Sequence, residues 1–310
     1  MPQPIPAVID TDPGIDDALA LLLALASPEL DVRAVTTVYG NTTLDNATAN
    51  ARLLCEWAGR ADVPVRAGAD RPLGRSLYLA ADTHAPRGLG HVALPEAAAC
   101  AARPEALLEA LAGAEAPVAL ITLGPLTNLA HALARDAALV RARVARHVAM
   151  AGSLRARGTQ TPLAEFNVWC DPDAAQLVLD AGLETRWVGL DVTRQLTLAS
   201  HDIERLDRTE RDRRLREALR FYAEFHLKVE RFDGCVINDP VAVAAVTHPE
   251  LLGWSEVRVS VDRSDGIRRG QTRLVREDED GTPAAFAETV DAPAIRALLD
   301  ARVFGREAAA

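Results

Sequence analysis

Four carboxylates close to the start of the chain constrain its fold more than any other feature. The segment 7–18 reads AVIDTDPGIDDA and places Asp10, Asp12, Asp16 and Asp17 between two apolar runs. A β-branched run, a Pro-Gly pair and a leucine-rich run predict a strand, a tight turn and a helix in succession. The four acids therefore belong to a strand-to-helix junction, which is where open α/β sheets bind ligands.

Short apolar runs alternate with helical patterns over the first two thirds of the chain. The predicted strands are 7–10, 32–38, 63–67, 118–123, 147–151 and 186–190, and helices are predicted at 45–57, 128–139 and 172–179. Near-continuous apolar strands separated by helices are typical of a parallel sheet that is covered on both faces. We therefore predict an open, mostly parallel, doubly wound α/β sheet flanked by helices, in a single domain of residues 1–310.

Beyond the last of these strands the pattern changes. Residues 200–230 carry many charges with apolar side chains at helical spacing, which predicts one or two exposed helices. Residues 257–275 alternate apolar and polar side chains around a Ser-Asp-Gly turn, which predicts a small peripheral hairpin near the C-terminus. The acidic run 276–281 predicts a solvated loop, and further helices are predicted over 241–246 and 292–299.

Charge and cysteine content exclude several classes of protein. The net charge of -10 leaves no basic face for nucleic acid. The four cysteines lie far apart without a C-x-x-C pair, which argues against a zinc site and a disulfide framework and favours a reducing cytoplasm. The chain begins without a basic leader region, and no apolar run is long enough to span a bilayer.

The four acids have two interpretations. Strand periodicity places Asp10 and Asp12 on one side of the chain as it leaves the sheet, and Asp16 and Asp17 in the first turn of the next helix. Either of the latter two could simply cap that helix and interact with its dipole. A hard cation with oxygen ligands explains all four acids together, because calcium and magnesium prefer such ligands.

Polar residues follow other predicted strands as well. Asn41 follows the second strand, a Gly-Pro turn at 124–125 leaves carbonyls outside a ladder, and Glu165 and Asn167 come in a loop after a later strand. Asp239 precedes a proline, so it is equally well interpreted as a helix N-cap. Together these residues predict an oxygen-rich crevice at one edge of the sheet.

These segments, in this order, resemble the nucleoside hydrolase family, the inosine-uridine preferring ribohydrolases. The residues that carry the resemblance are the acidic motif at 10–18, Tyr39-Gly40-Asn41, the segment 84–89, LGPLTN at 123–128, AEFN at 164–167 and Asp239-Pro240. The resemblance implies hydrolysis of the N-glycosidic bond of ribonucleosides, with a purine, pyrimidine or modified base, to ribose and free base. It also implies a role in nucleoside salvage and a homodimer or homotetramer.

The resemblance further implies a bound calcium ion. Its ligands would be Asp12, Asp17, the main-chain carbonyl of Leu123 and Asp239, with Asp10 supporting the site from behind. Asp12 would also be the general base that takes a proton from a metal-bound water. Such a site fits glycosidic cleavage, in which positive charge develops on the sugar and an activated water attacks.

The implied substrate-binding residues surround the ribose. They are Asp16, Asn41, Met150, Thr159, Glu165 and Asn167. Carboxylates that grip the 2'- and 3'-hydroxyls stabilise the developing cation and select ribose over deoxyribose. Relatives commonly carry asparagine at the position of Thr159, and a hydroxyl replaces only one of the two hydrogen bonds of an amide.

The residue that helps the base to leave is the main departure from the family pattern. Many relatives carry a histidine directly before the late aspartate, whereas this chain has Asn238, which cannot protonate a leaving base. His84 is the best remaining histidine. Other candidates for contact with the base are Arg87, Arg155, Arg157, Trp169, Tyr222, Phe225 and Phe232.

Two alternative functions stay open at this point. The Asp10-Thr11-Asp12 sequence after a strand also fits a D-x-D phosphatase that holds magnesium, although Pro13-Gly14 replaces the hydroxyl residue expected there. The chain could also bind nucleosides with little turnover, because of Asn238.

Overall fold

Parallel strands form the central sheet of this protein, whose computed structural model describes residues 3–276 and 279–306. The strands are β1 (Ile5–Thr11), β2 (Leu30–Thr37), β3 (Val65–Ala67), β4 (Val118–Thr122), β5 (Val144–Met150), β6 (Thr185–Val188), β7 (Thr197–Ala199), β8 (Gly234–Val236), β9 (Leu252–Val261), β10 (Thr272–Leu274) and β11 (Thr282–Val290). Within the described residues, nine of them form one sheet in the order β10-β9-β11-β6-β5-β4-β1-β2-β3, and β7 pairs with β8.

Helices connect most of the strands. They are α1 (Ile15–Ala26), α2 (Leu44–Trp57), α3 (Ala81–His84), α4 (Ala106–Ala112), α5 (Thr127–Arg143), α6 (Phe166–Cys170), α7 (Pro172–Asp180), α8 (Leu190–Thr193), α9 (Ser200–Glu204), α10 (Glu210–Glu230), α11 (Pro240–Thr247) and α12 (Ala292–Arg302). No helix among the described residues has the length and apolar character needed to cross a membrane.

The chain winds outward in two directions from the middle of the sheet. β1, β2 and β3 follow one another toward one edge, and β4, β5 and β6 follow one another toward the other, all in parallel. β1 and β4 are therefore neighbours at which the direction of winding reverses. In doubly wound sheets the crevice at this reversal, outside the carboxyl ends of the strands, is the place where ligands bind.

Side chains of the central strands alternate between two hydrophobic cores. In β1, Ala7 and Ile9 pack on the face covered by α1, α2, α10, α11 and α12, whereas Val8 packs on the face covered by α4, α5 and α7. β4 repeats the alternation, with Ile121 in the first core and Leu120 in the second. Burial on both faces explains why these strands read as continuous apolar runs.

The observed elements confirm the predicted fold class and correct parts of it. The strand predicted to reach residue 190 ends at Val188, because Gly189 is already the N-cap of α8. The predicted hairpin exists as β9 and β10, and β9 also pairs with β11, which joins the hairpin to the main sheet. Two residues of the acidic run at 276–281 lie outside the described residues.

The sequence pattern does not predict β11. Its sequence, TPAAFAETV, is rich in alanine and contains proline, so its intrinsic preference for strand is low. Tertiary contacts compensate for this: β11 is paired on both sides, and Phe286 stacks on Trp187 of β6 with ring centroids 5.6 Å apart.

Candidate functional site

A cleft opens above the carboxyl ends of the central strands, at the point where the winding of the sheet reverses. It contains about 900 Å³ of empty space, including its open mouth. One end is lined by Asp16, Asn41, Leu123, Met150, Glu165, Asn167, Asn238 and Asp239, and the other by Tyr78, His84, Arg194, Tyr222, Phe225, His226 and Glu230.

Three buried carboxylates meet at the polar end of this cleft. Asp16 and Asp17 lie in the first turn of α1, and Asp239 lies at the start of α11, with carboxylate oxygens within 4.8 Å of one another. Asp17 also accepts the Gly14 N–H at 3.0 Å, so it does cap α1. Asp239 occupies the N-cap position but makes no capping hydrogen bond, which leaves its carboxylate to the cleft.

Asp12 directly follows β1 and is close enough to Asp16 and Asp17 to feel their charges. Its Oδ2 accepts the Asn41 N–H at 2.6 Å, while its buried Oδ1 has no hydrogen-bond partner among the described residues. The chain stays close to this carboxylate because Gly124 has no side chain: a Cβ there would lie 2.6 Å from Asp12 Oδ1. A buried carboxylate oxygen without a partner is costly unless a cation or a proton satisfies it.

Asp10 lies within β1, two residues before Asp12. One of its oxygens accepts hydrogen bonds from Thr36 and from the Asn128 side chain, the latter at 2.7 Å, and the other oxygen is buried without a partner among the described residues. Like Asp12 and Asp17, Asp10 does not itself line the described part of the cleft.

The electrostatics of the group favour a bound cation. Burial raises the pKa of Asp10 to about 7 and, together with the charge of Asp16, that of Asp17 to about 6. Burial and neighbouring carboxylates raise the pKa values of Asp12 and Asp239 well above their usual range. Carboxylates this close cannot all be ionised without positive charge among them, so the donor set fits a hard divalent cation with oxygen ligands.

Leu123 also lines the cleft, immediately after β4, and its carbonyl accepts a hydrogen bond from Asn167 Nδ2 at 2.6 Å. Of the expected metal ligands, the structure thus brings Leu123 and Asp239 to the cleft lining and Asp17 into one carboxylate group with Asp239. It also places Asp16, expected to bind ribose, in the same carboxylate group.

The loop before α6 forms another part of the cleft wall. Glu165 is the N-cap of α6, and its carboxylate accepts backbone N–H groups from Asn167 at 2.7 Å, Gly152 at 3.0 Å and Val168 at 3.1 Å. These bonds hold the side chain in one orientation, although burial raises its pKa to about 7. Thr159 lies exposed at the mouth, where its hydroxyl accepts the Phe166 N–H at 3.1 Å.

Asn238 orients a carboxylate instead of reaching freely into the cleft. Its Nδ2 donates to Asp16 Oδ2 at 3.1 Å, and its Oδ1 accepts the Thr193 hydroxyl at 2.8 Å. The Tyr222 hydroxyl donates to the same Asp16 oxygen at 3.3 Å. Asn238 therefore links Thr193 to Asp16 through two successive hydrogen bonds.

His84 lies beside the carboxylates on the short helix α3. Its Nδ1 accepts the Ile15 N–H at 3.1 Å, which places the proton of the neutral ring on Nε2. Burial lowers its pKa to about 4, so at neutral pH the ring is uncharged and its Nε2–H is available as a hydrogen-bond donor. The close packing requires Gly14, where a Cβ would lie 2.7 Å from His84 Nδ1.

The far end of the cleft includes His226 and Val229, which the sequence did not single out, beside Tyr222 and Phe225, which it did. One face of α10, predicted to be exposed, is in fact turned into the cleft with Tyr222, Phe225, His226 and Val229. The spacing of these residues, at i, i+3, i+4 and i+7, was the available signal for a helix face turned toward a site.

The arginine in the cleft is Arg194, which pairs with Glu230 at 2.7 Å. The arginines proposed to reach the base, Arg87, Arg155 and Arg157, do not line the described part of the cleft. Arg155 pairs instead with Glu288. Of the four aromatic candidates, Tyr222 and Phe225 line the cleft and Trp169 and Phe232 do not.

Comparisons with known proteins match nucleoside hydrolases over nearly the whole chain. Residues 7–297 match the family described as "Inosine-uridine preferring nucleoside hydrolase". The chain is 37% identical to "Uridine nucleosidase 1" of Arabidopsis thaliana over 273 residues, which cover 86% of this chain and 81% of the relative. It is 39% identical to "Pyrimidine-specific ribonucleoside hydrolase RihA" of Enterobacter sp. (strain 638) over 276 residues, covering 86% and 87%.

Solved structures show the same similarity. The structure titled "Plant nucleoside hydrolase - PpNRh1 enzyme" superimposes with a TM-score of 0.88 at 34% identity, covering 96% of this chain and 98% of the other. A "Purine-Preferring Ribonucleoside Hydrolase from Gardnerella vaginalis" superimposes with a TM-score of 0.87 at 27% identity, covering 97% and 98%.

Proposed function

Because the chain belongs to the inosine-uridine preferring nucleoside hydrolase family, we propose that it is a calcium-dependent enzyme that hydrolyses pyrimidine ribonucleosides to ribose and free base. The names of the relatives at 37% and 39% identity support a pyrimidine base. The observation that carries the catalytic proposal is the buried Asp12 Oδ1, which has no partner among the described residues beside a group of three carboxylates.

The proposed metal ligands are Asp12, Asp17, Asp239 and the carbonyl of Leu123. When bound, calcium would neutralise the carboxylates and polarise a water molecule for attack. Asp12 accepts the proton of the attacking water, since its Oδ1 is the carboxylate oxygen left free by the hydrogen bond from Asn41.

The proposed ribose site uses the carboxylates and amides at the same end of the cleft. Asp16, held by Asn238 and Tyr222, and Asn41 bind the sugar hydroxyls on one side, and Glu165 and Asn167 bind it on the other. Negative charge fixed around the sugar stabilises an oxocarbenium-like transition state. Hydrogen bonds to the 2'-hydroxyl select ribose over deoxyribose, because the analogue leaves buried polar groups unpaired.

His84 is the proposed aid to the leaving base. Its Nε2–H stabilises the negative charge that develops on the departing base by donating a hydrogen bond, as a neutral donor rather than as a charged acid. This role does not require a proton donor at position 238, where Asn238 is already engaged with Asp16.

The phosphatase alternative lacks support in the cleft. The only lysine in the chain is Lys228, which is exposed on α10 and does not line the cleft. A D-x-D phosphatase needs a cation to bind its phosphate, and Arg194, the arginine of the cleft, is already paired with Glu230.

Measurement of ribose release from uridine, cytidine and inosine by calcium-loaded protein tests this function. We expect multiple turnovers with the pyrimidine nucleosides, and we expect Asp12→Asn to lower kcat by about 10²- to 10⁴-fold. Asp62→Asn, at an exposed aspartate paired with Arg60, is the matched control and should keep full activity. Tight nucleoside binding without turnover would instead show a binding protein.

A further inference from the structure

Two histidines that line the cleft are held with opposite tautomers. His84 Nδ1 accepts the Ile15 N–H at 3.1 Å, so its proton is on Nε2. His226 Nδ1 lies 2.8 Å from the Tyr222 carbonyl, which can only accept, so its proton is on Nδ1 and its Nε2 carries a lone pair. Neither Nε2 has a hydrogen-bond partner among the described residues, and both rings line the cleft.

Both rings pack against the ring of Tyr222. The Tyr222 hydroxyl contacts Asp16 at 3.3 Å, and its ring centroid is 5.3 Å from that of His84 and 4.5 Å from that of His226. His226 follows Tyr222 by one turn of α10, on the same helix face. A base attached to a sugar at Asp16 would therefore enter the part of the cleft that His84, Tyr222 and His226 line together.

The hydrogen bond to the Tyr222 carbonyl uses only one of the two ring nitrogens of His226. That bond satisfies Nδ1 and leaves an acceptor at Nε2 on a histidine that is only 4% exposed. The neighbouring charges are engaged with each other, since Arg194 pairs with Glu230 at 2.7 Å. Phe225 packs edge-on against the imidazole ring, at 5.5 Å between centroids, and helps to fix its orientation.

We propose that His226 determines the base specificity of the enzyme, by accepting the N3–H of uracil while His84 donates to the adjacent O2. This inference rests on the proposed function. Uracil presents an acceptor followed by a donor along this edge, which matches the two histidines. Cytosine presents two acceptors there, so its N3 lone pair would face the lone pair of His226. An unmatched buried polar pair of this kind costs about 10- to 100-fold in specificity.

The decisive measurement is the ratio of kcat/KM for uridine to that for cytidine, in native protein and in variants at position 226. His226→Gln offers both an acceptor and a donor, and His226→Leu offers neither. We expect both variants to lower the ratio by at least about tenfold. The intrinsic difference between the two leaving bases is the same in every variant, so it cancels from the comparison.

His91→Gln is the matched control, because His91 is an exposed histidine that contacts Glu224 of α10 outside the cleft. It should leave the ratio unchanged. A second measurement needs no variant: 3-deazauridine, in which C–H replaces N3–H without added bulk, should inhibit uridine hydrolysis by native protein with a constant at least about tenfold above the KM for uridine.

Failure of this inference and failure of the proposed function give different results. Ribose release with an unchanged ratio in folded position-226 variants, or with 3-deazauridine binding as well as uridine, overturns the role of His226 and leaves the hydrolase intact. No ribose release from any nucleoside overturns the proposed function, and the inference with it.

Discussion

The neighbours of each carboxylate at and behind the cleft differ, and they separate the roles of otherwise identical side chains. Asp10 is bound by Thr36 and Asn128 within the sheet, whereas Asp12 keeps one buried oxygen without a partner among the described residues. Asp16 is held from the other side by Asn238. Residue type alone would make these acids interchangeable, so the differences come from the groups around them.

The Thr193 hydroxyl is expected to act on the ribose site through Asn238. Thr193→Val removes the donor that orients the amide, so Asp16 loses the fixed direction of its partner. We expect the KM for uridine to rise about tenfold with a smaller change in kcat, because ground-state ribose binding is affected most. Steady-state kinetics measure the split, and Thr193→Ser should restore the native KM. An equal fall in kcat and kcat/KM would contradict this role.

A buried histidine away from the carboxylates sets a pH dependence of stability. His147 lies between the Thr122 and Thr185 hydroxyls at 3.0 and 2.9 Å, and burial lowers its pKa from 6.5 to about 3. Below pH 6.5 the unfolded chain binds a proton that the folded protein excludes. His147 therefore lowers the free energy of unfolding by about 1.4 kcal/mol per pH unit as the pH falls from 6.5 toward 3.

Urea unfolding of His147→Gln at pH 6.5 and pH 5 tests this effect. The variant retains a donor and an acceptor but cannot titrate, so it should lose about 2 kcal/mol less than native protein over that interval. His201→Gln, at an exposed histidine, is the control. Identical losses in native protein and His147→Gln would show that His147 does not titrate differently on folding.

At the scale of elements, short connections between strands and helices bring the functional groups together. β1 and α1 are separated by three residues, so Asp12, Asp16 and Asp17 all lie near one turn. α11 starts directly after Asp239, and every residue from Pro240 to Val246 is buried. A helix buried on all sides cannot shift without disturbing the core, which holds its N-terminal carboxylate in place.

The turn before α1 depends on the absence of a side chain at Gly14. A Cβ there would lie 2.6 Å from Asn41 Nδ2 and 2.7 Å from His84 Nδ1, so Gly14→Ala must displace both side chains. We expect kcat/KM to fall at least about tenfold, with a loss of about 1–3 kcal/mol in unfolding free energy. Gly74→Ala, where nothing lies within 4 Å of the added Cβ, is the control. Native activity in Gly14→Ala would refute the close packing.

At the scale of the whole molecule, the site joins parts of the chain that are far apart in sequence. Asp16 is 222 residues from Asn238 along the chain, yet their side chains are hydrogen bonded. Buried carboxylates from the two ends of the chain repel one another in the absence of a cation. A bound cation should therefore stabilise the entire fold in addition to supporting the reaction.

Calcium removal is expected to lower the thermal stability of the protein. Calcium at about 100 times its dissociation constant should add about 2.7 kcal/mol to the unfolding free energy relative to EGTA-treated protein. Asp239→Asn should lose this increment and, in EGTA, should be at least as stable as native protein, because one buried charge is removed. Calorimetry with and without calcium measures both. Coincident transitions of native protein in calcium and in EGTA would exclude a metal at this site.

Several expectations about the whole molecule stay predictions. They are a single domain over residues 1–310, a homodimer or homotetramer, and a cytoplasmic enzyme of nucleoside salvage.

The order of apolar runs and turn residues was enough to predict the parallel sheet and the acidic junction after β1, because strand burial and tight turns are local properties of the chain. The resemblance added the expected roles of Asp239 and Leu123. Only the tertiary structure decided that α10 turns a face into the cleft, that Asn238 binds Asp16, and that β11 is a strand.

The two histidines show the physical reason for that division. Their residue type makes each of them a donor or an acceptor, and the choice depends on the backbone group that contacts Nδ1. For His84 that group is the N–H of Ile15, 69 residues away, and for His226 it is the carbonyl of Tyr222 on the same helix. The contact of His226 is local to one helix turn, whereas that of His84 joins distant segments and has no local signature, so the pairing of the two rings in one cleft emerges only when the chain is folded.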